Sequence, residues 1–156
     1  MISREVEIRT ADGTVDALLT RPDTAEKLPG VVQLTDGLGL RPAHADLSAR
    51  IAERGYVVLT PNIFYRTTRP PAFPADADFA SEKTMLRFRE LTSPLTPEAM
   101  VNDGLAYLDF LSAQPSVRRG SMGVVGFCSP GSSPCALPPR GPMPLPPRRR
   151  FTGGCW

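Results

Sequence analysis

Apolar and polar positions follow two different rhythms along this chain. Between residues 2 and 20, Val6 and Ile8 alternate with charged neighbours, and Val15, Ala17 and Leu19 alternate again. A period of two is that of a strand with one buried face, and Asp12-Gly13 between the runs is a two-residue turn signal. The segment therefore reads as a hairpin. Residues 22–29 are polar and read as a loop. Gly30 to Thr35 and Tyr56 to Pro61 are short, almost continuous apolar runs, as expected of strands covered on both faces.

Helical spacing appears between and after those runs. Residues 43–54 place Leu47 and Ile51 four apart among Asp46, Arg50, Glu53 and Arg54, and Gly55 is positioned to end the helix. Strand, helix and strand then fall within about 30 residues, the length of a parallel crossover unit. Residues 62–80 read as loop, with Pro70, Pro71 and Pro74 among aromatics and arginines. A helix is predicted over 81–91. Thr96-Pro97-Glu98 opens another, combining an N-cap residue, proline at the first position and an acid in the first turn. Val101, Leu105, Leu108 and Leu111 are its expected core stripe. Pro115 ends it, and a basic loop with Arg118 and Arg119 leads into Met122 to Cys128, a buried strand that stops on Gly-Phe-Cys.

Composition changes the picture at one place. Residues 1–128 hold all 16 acids and 14 of the 18 basic residues, whereas the last 28 residues hold four arginines, no acid and eight of the 18 prolines. That shift predicts a boundary near residue 129. The first residues are polar and charged, unlike a signal peptide, and no run reaches the roughly 18–20 apolar residues of a membrane helix. A cytoplasmic protein without a membrane partner is the expectation. Cys128, Cys135 and Cys155 are odd in number and lack ligand spacing, which argues against a disulfide framework or a zinc site.

The candidate chemistry sits at strand ends. Gly126-Phe127-Cys128 is half of a nucleophile elbow, the sharp turn that raises a nucleophile above the sheet beside backbone N–H groups. The full pattern has glycine two residues after the nucleophile; here Pro130 stands there, with Gly131 one place late. Asp36-Gly37-Leu38-Gly39-Leu40 lies at the C-terminal end of an earlier strand, where open α/β sheets bind ligands.

Three stretches in order resemble the dienelactone hydrolase (carboxymethylenebutenolidase) family. They are Gly123 to Cys128 at the elbow strand, Gly30 to Leu40 at the strand and loop, and Val58 to Arg66, where the family has an Ala-Pro-Asp-Leu-Tyr-like segment. The resemblance covers about residues 1–129 and implies the first part of an α/β-hydrolase fold: an N-terminal hairpin, then parallel strands with crossover helices, ending at the elbow. It further implies an ester or lactone hydrolase with Cys128 as nucleophile and no metal or organic cofactor. Asp36 falls where the family has a glutamate, one methylene longer, that helps hold the resting thiol. Its carboxylate would exchange protons with the thiol or set its ionisation by charge; a loop aspartate bonding its own backbone is an equal alternative. The resemblance makes the amides of Gly37 and Ser129 the oxyanion donors, and small lactones or esters the substrates.

The family draws its general base, a histidine with an aspartate partner, from later loops. The single histidine here, His44, comes early and is expected on the surface, outside catalysis. The catalytic Asp and His are therefore missing from the chain, and little or no turnover is expected. Arg66 and Arg69 would attract a substrate carboxylate or, more simply, be solvated loop residues.

Residues 130–156 show no helical or strand period. A lost reading frame at or just after Ser129 accounts for the enrichment in Pro, Arg, Gly and Ser, which out-of-frame GC-rich DNA produces. A non-catalytic alternative is an interaction tail, Pro144 to Arg149 resembling a polyproline-II ligand with basic flanks. Four arginines without interleaved order are a weak nucleic-acid signal, and no nucleic-acid partner is expected.

Overall fold

The computed structural model describes residues 1–127. Cys128, Ser129, the boundary at 129 and the Pro/Arg-rich tail lie outside the described residues. Within them the chain forms a mixed five-stranded sheet with helices on both faces.

The hairpin consists of β1 (Ile2–Thr10) and β2 (Gly13–Arg21), antiparallel and in register from Ile2↔Arg21 to Thr10↔Gly13. Its two loop residues are Ala11 and Asp12, one place earlier than the sequence suggested. Gly13 closes the ladder at φ +142°, a backbone position suited to glycine, and the Thr10 hydroxyl donates to its carbonyl at 3.1 Å. Next come β3 (Leu28–Leu34), α1 (Pro42–Ala52), β4 (Val57–Pro61), α2 (Glu82–Thr92), α3 (Pro97–Ser112) and β5 (Val117–Gly126). Strand β3 starts two residues earlier than predicted because Leu28 already pairs with Val117.

The strand order is β1-β2-β4-β3-β5. Strand β4 runs antiparallel to β2 and parallel to β3, and β5 runs parallel to β3 on the far side. Among the described residues β5 has no second neighbour. The predicted basic loop proves to be an irregularity inside β5. Pairing jumps from Leu28↔Val117 to Gly30↔Met122, and Gly120 turns at φ +76° within the interruption.

The helices end as their sequences dictate. Gly55 follows α1 at φ +89° and donates to the carbonyl of Ala52. The Ser81 and Thr96 side chains cap α2 and α3, accepting from the amides of Thr84 and Ala99 at 3.2 Å each.

The two sheet faces differ in chemistry. On one, Val15, Ala17, Leu19, Val32, Leu34, Val57 and Leu59 form the apolar core with Tyr107 and Leu111 of α3. On the other, buried Thr60 and Gln33 meet His44 and Ser48 of α1. This corrects two stripes. The buried face of α3 is Asp103, Gly104, Tyr107 and Leu111, while Val101 and Leu105 stay half-buried. The buried face of α1 is His44, Ser48 and Ala52, with Leu47 and Ile51 half-buried. His44, Ser48 and Asp103 occupy the interior because partners there satisfy them. No helix among the described residues is long and apolar enough to cross a membrane.

Candidate active site

The parallel ladder between β3 and β5 is in register from Gly30↔Met122 through Leu34↔Gly126. The two strands therefore leave the sheet side by side, β3 into Thr35-Asp36-Gly37 and β5 into Phe127. The fold thus brings together the loop and the elbow strand singled out in the sequence.

Asp36 is held by several partners. Arg41 grips it in a bidentate pair, Nη1 to Oδ1 at 2.6 Å and Nη2 to Oδ2 at 2.7 Å. Oδ1 also accepts from the amide of Leu38 at 3.0 Å, and the Asp36 carbonyl accepts from Gly39 N–H at 3.0 Å. The backbone-bonding alternative weighed from the sequence is thus present in the structure. Burial alone would push the Asp36 carboxyl up, but hydrogen bonds from Arg41, Leu38 and His44 outweigh it and hold the carboxyl below the usual aspartate range. The same pair raises the Arg41 guanidinium above its ordinary value. Arg41 carried no signal in the sequence, since a loop arginine five residues after an aspartate has no required geometry.

His44 is not on the surface. It is 4% exposed, in the first turn of α1, with Nε2 3.4 Å from Asp36 Oδ1 and 3.5 Å from the Asp36 amide. Gln33 Nε2 lies 3.4 Å from Nδ1 and donates to the His44 carbonyl at 3.1 Å. The Ser48 hydroxyl donates to that carbonyl at 2.7 Å and lies 2.7 Å from Thr60 Oγ1 and 3.3 Å from Gln33 Oε1. The early position of His44 suggested exposure. The spacing of His44, Ser48 and Ala52 at four and four was the signal of a buried, hydrogen-bonded stripe. The His44 ring also lies 6.1 Å, centroid to centroid, from the ring of Phe127.

Gly37 sits against α2. A Cβ there would stand 2.9 Å from Phe88 Cε2. Gly39, at φ +76°, leaves no room either, with Phe64 Cδ2 and Ala72 Cβ both 3.1 Å from its would-be Cβ. The loop is thus clamped by aromatic packing on one side and by the Asp36 contacts on the other.

Arg66 does not face solvent. Its side chain is 12% exposed and binds Asp103 through Nη1 at 2.7 Å and Nη2 at 2.9 Å, and Asp12 through Nη2 at 2.6 Å. It also stacks 4.6 Å from the Tyr65 ring centroid. These contacts tie the hairpin turn and α3 to the segment after β4. Arg69 is 69% exposed, as the simpler reading had it.

A sheet of this order, with parallel strands flanked by helices and a glycine-bearing loop beside the end of β5, is that of the α/β hydrolases. The dienelactone hydrolase family model matches residues 15–142, so the chain belongs to that family. A curated protein of Synechocystis sp. (strain ATCC 27184 / PCC 6803 / Kazusa), provisionally named a carboxymethylenebutenolidase, is 24% identical over 113 residues. That alignment covers 72% of this chain and 44% of the relative. Among solved structures, a provisionally named dienelactone hydrolase from Klebsiella pneumoniae subsp. pneumoniae MGH 78578 superposes with a TM-score of 0.67 at 24% identity, over 81% of this chain and 50% of that one. A dienelactone hydrolase-like promiscuous phosphotriesterase from metagenomic libraries gives 0.62 at 21% identity, over 81% and 49%. The chain spans about half the length of the relatives it matches.

Proposed function

We propose that the chain carries the acyl-accepting part of a dienelactone-hydrolase-like site acting on small lactones or esters, with Cys128 as nucleophile. The observation that carries this reading is the in-register pairing of β3 with β5 up to Leu34↔Gly126. Both strands end there, so the Asp36 loop and the segment that leads toward Cys128 leave the same end of the sheet.

In this reading the Cys128 thiolate attacks the carbonyl carbon, a C–S bond forms, and the carbonyl oxygen takes the negative charge. The amides of Gly37 and Ser129 receive that oxyanion. Collapse of the tetrahedral species breaks the ester C–O bond and releases the alkoxide or enolate, which in a lactone stays attached as the opened chain. Asp36, ionised and gripped by Arg41, acts as a fixed charge rather than by exchanging protons with the thiol.

Hydrolysis of the resulting thioester needs a base to activate water. His44 is the single histidine of the 156 residues, and its ring nitrogens face buried Gln33 and half-buried Asp36. It does not serve as that base, and the chain acylates without turning over. Progress curves with an activated ester test this: release should stop near one equivalent per chain, and added imidazole should restart it. Sustained turnover without imidazole, abolished by Cys128→Ala, would overturn the single-turnover reading. Ester cleavage indifferent to Cys128→Ala would overturn the nucleophile.

A further inference from the structure

We propose that His44 is a positioning residue that fixes the Gly37 amide through Asp36, so the buried imidazole acts on acyl transfer without touching substrate. This rests on the reading of Gly37 as an oxyanion donor.

The His44 ring is held at both nitrogens, by Gln33 on one side and by Asp36 on the other. Ser48 Oγ lies near Gln33 Oε1 at 3.3 Å, so the Gln33 amide nitrogen faces His44, where it reaches both the carbonyl and Nδ1. At the other side of the ring, Nε2 lies 3.4 Å from Asp36 Oδ1, and the Asp36 amide N–H is directed at the same nitrogen from 3.5 Å, so the imidazole meets both the carboxylate and the backbone of Asp36. A chain of polar contacts thus runs from Thr60 in β4 through Ser48, Gln33 and His44 to the Asp36 carboxylate.

Asp36 passes that constraint on. Its Oδ1 takes the Leu38 amide and its carbonyl takes the Gly39 amide, which closes a turn around Gly37. Phe88 blocks the other side of Gly37. The direction of the Gly37 N–H is therefore set jointly by Phe88 and by the carboxylate that Arg41 and His44 together hold. The imidazole also borders Phe127, the residue before the proposed nucleophile, so it meets both loops that leave the sheet together.

Two thiol reactions separate positioning from general folding. Acylation of Cys128 by p-nitrophenyl acetate passes through an oxyanion, and displacement of iodide from iodoacetamide does not. In the full chain, His44→Phe should slow acylation about ten-fold or more while leaving alkylation within about two-fold, since only the first reaction uses an oxyanion donor. His44→Gln, which keeps an N–H donor, should recover part of the acylation rate. Equal losses in both reactions, or no loss in either, would overturn the proposal.

A spectroscopic test on the unaltered chain stands apart from catalysis. Long-range 1H–15N correlation of the single histidine should show one fixed tautomer rather than an exchanging pair, because both ring nitrogens are held. If wild-type Cys128 reacts with the ester no faster than a free thiol, the functional reading fails. The tautomer, together with a shifted Gly37 amide resonance in His44→Gln, would still support the positioning link. An averaged pair of tautomers or an unmoved Gly37 resonance would overturn it, whether or not His44→Phe folds.

Discussion

Asp36 and Arg41 form a bidentate ion pair, 2.6 and 2.7 Å, at the mouth of the sheet where the proposed nucleophile strand ends. The pair decides what Asp36 can do. A carboxylate fixed by two guanidinium bonds and a backbone amide stays ionised through the neutral range.

That fixation has a pH signature. The Asp36 carboxyl is held below its ordinary value of 3.8, so its contribution to stability is fully present above that pH and is lost as pH falls below it. A carboxyl-detected NMR titration should place its midpoint below 3.8. Arg41→Ala should move the midpoint up, because burial then acts with less opposition. A wild-type midpoint at or above the ordinary value would contradict the pairing.

Arg66 and Asp103 make the corresponding prediction for stability. Both are largely buried, at 12% and 6% side-chain exposure. Asp103→Ala leaves the guanidinium with only the half-exposed Asp12 and should cost about 3 kcal/mol or more in urea unfolding. Replacing both partners with apolar residues of similar volume should cost markedly less. Equal losses in the single and double variants would show that the pair is not what holds this junction.

Tyr65 reports on the same junction from the alkaline side. Burial, together with its hydrogen bond to Asp103, pushes the phenol up to about 12. Folding therefore favours the protonated ring. That contribution is fully present below pH 10, the ordinary tyrosine value, and is lost as pH rises toward 12. Stability measured by denaturant should decline across this interval, and Tyr65→Phe should flatten the decline. An unchanged slope in the variant would assign it elsewhere.

The two glycines of the site loop should differ. Alanine at Gly37 meets the edge of a single ring, Phe88, and should cost about 1 kcal/mol, relieved by Phe88→Leu. Alanine at Gly39 adds left-handed backbone strain to contacts with Phe64 and Ala72, and should cost about 2–3 kcal/mol with no single-residue rescue. Thermal or urea unfolding of the two variants decides the order.

Much of the architecture was legible because periodicity and capping are local. The hairpin, the strand–helix–strand unit and the Thr96 cap could be read without tertiary information. The polar interior was not. His44, Ser48 and Asp103 are buried only because Gln33, Thr60 and Arg66, distant in sequence, complete their hydrogen bonds. An apolar-stripe criterion counts such residues as surface and so misplaced the inner faces of α1 and α3. Asp36 and Gly37 were proposed from strand-end position and family pattern, whereas the contacts of Arg41 and Phe88 with them needed the fold. Their roles depend on contacts across a loop and a helix, which leave no spacing to read.

The central claim is that Cys128 accepts the acyl group, and mapping the acyl group tests it most directly. The full chain would be incubated with p-nitrophenyl acetate, quenched in acid and digested, and acetyl occupancy compared at Cys128, Cys135 and Cys155 by mass spectrometry. The account predicts acetylation at Cys128 well ahead of the other two, with no ester cleavage above the free-thiol background in Cys128→Ala. Equal labelling of the three cysteines, or undiminished cleavage in the variant, would contradict it.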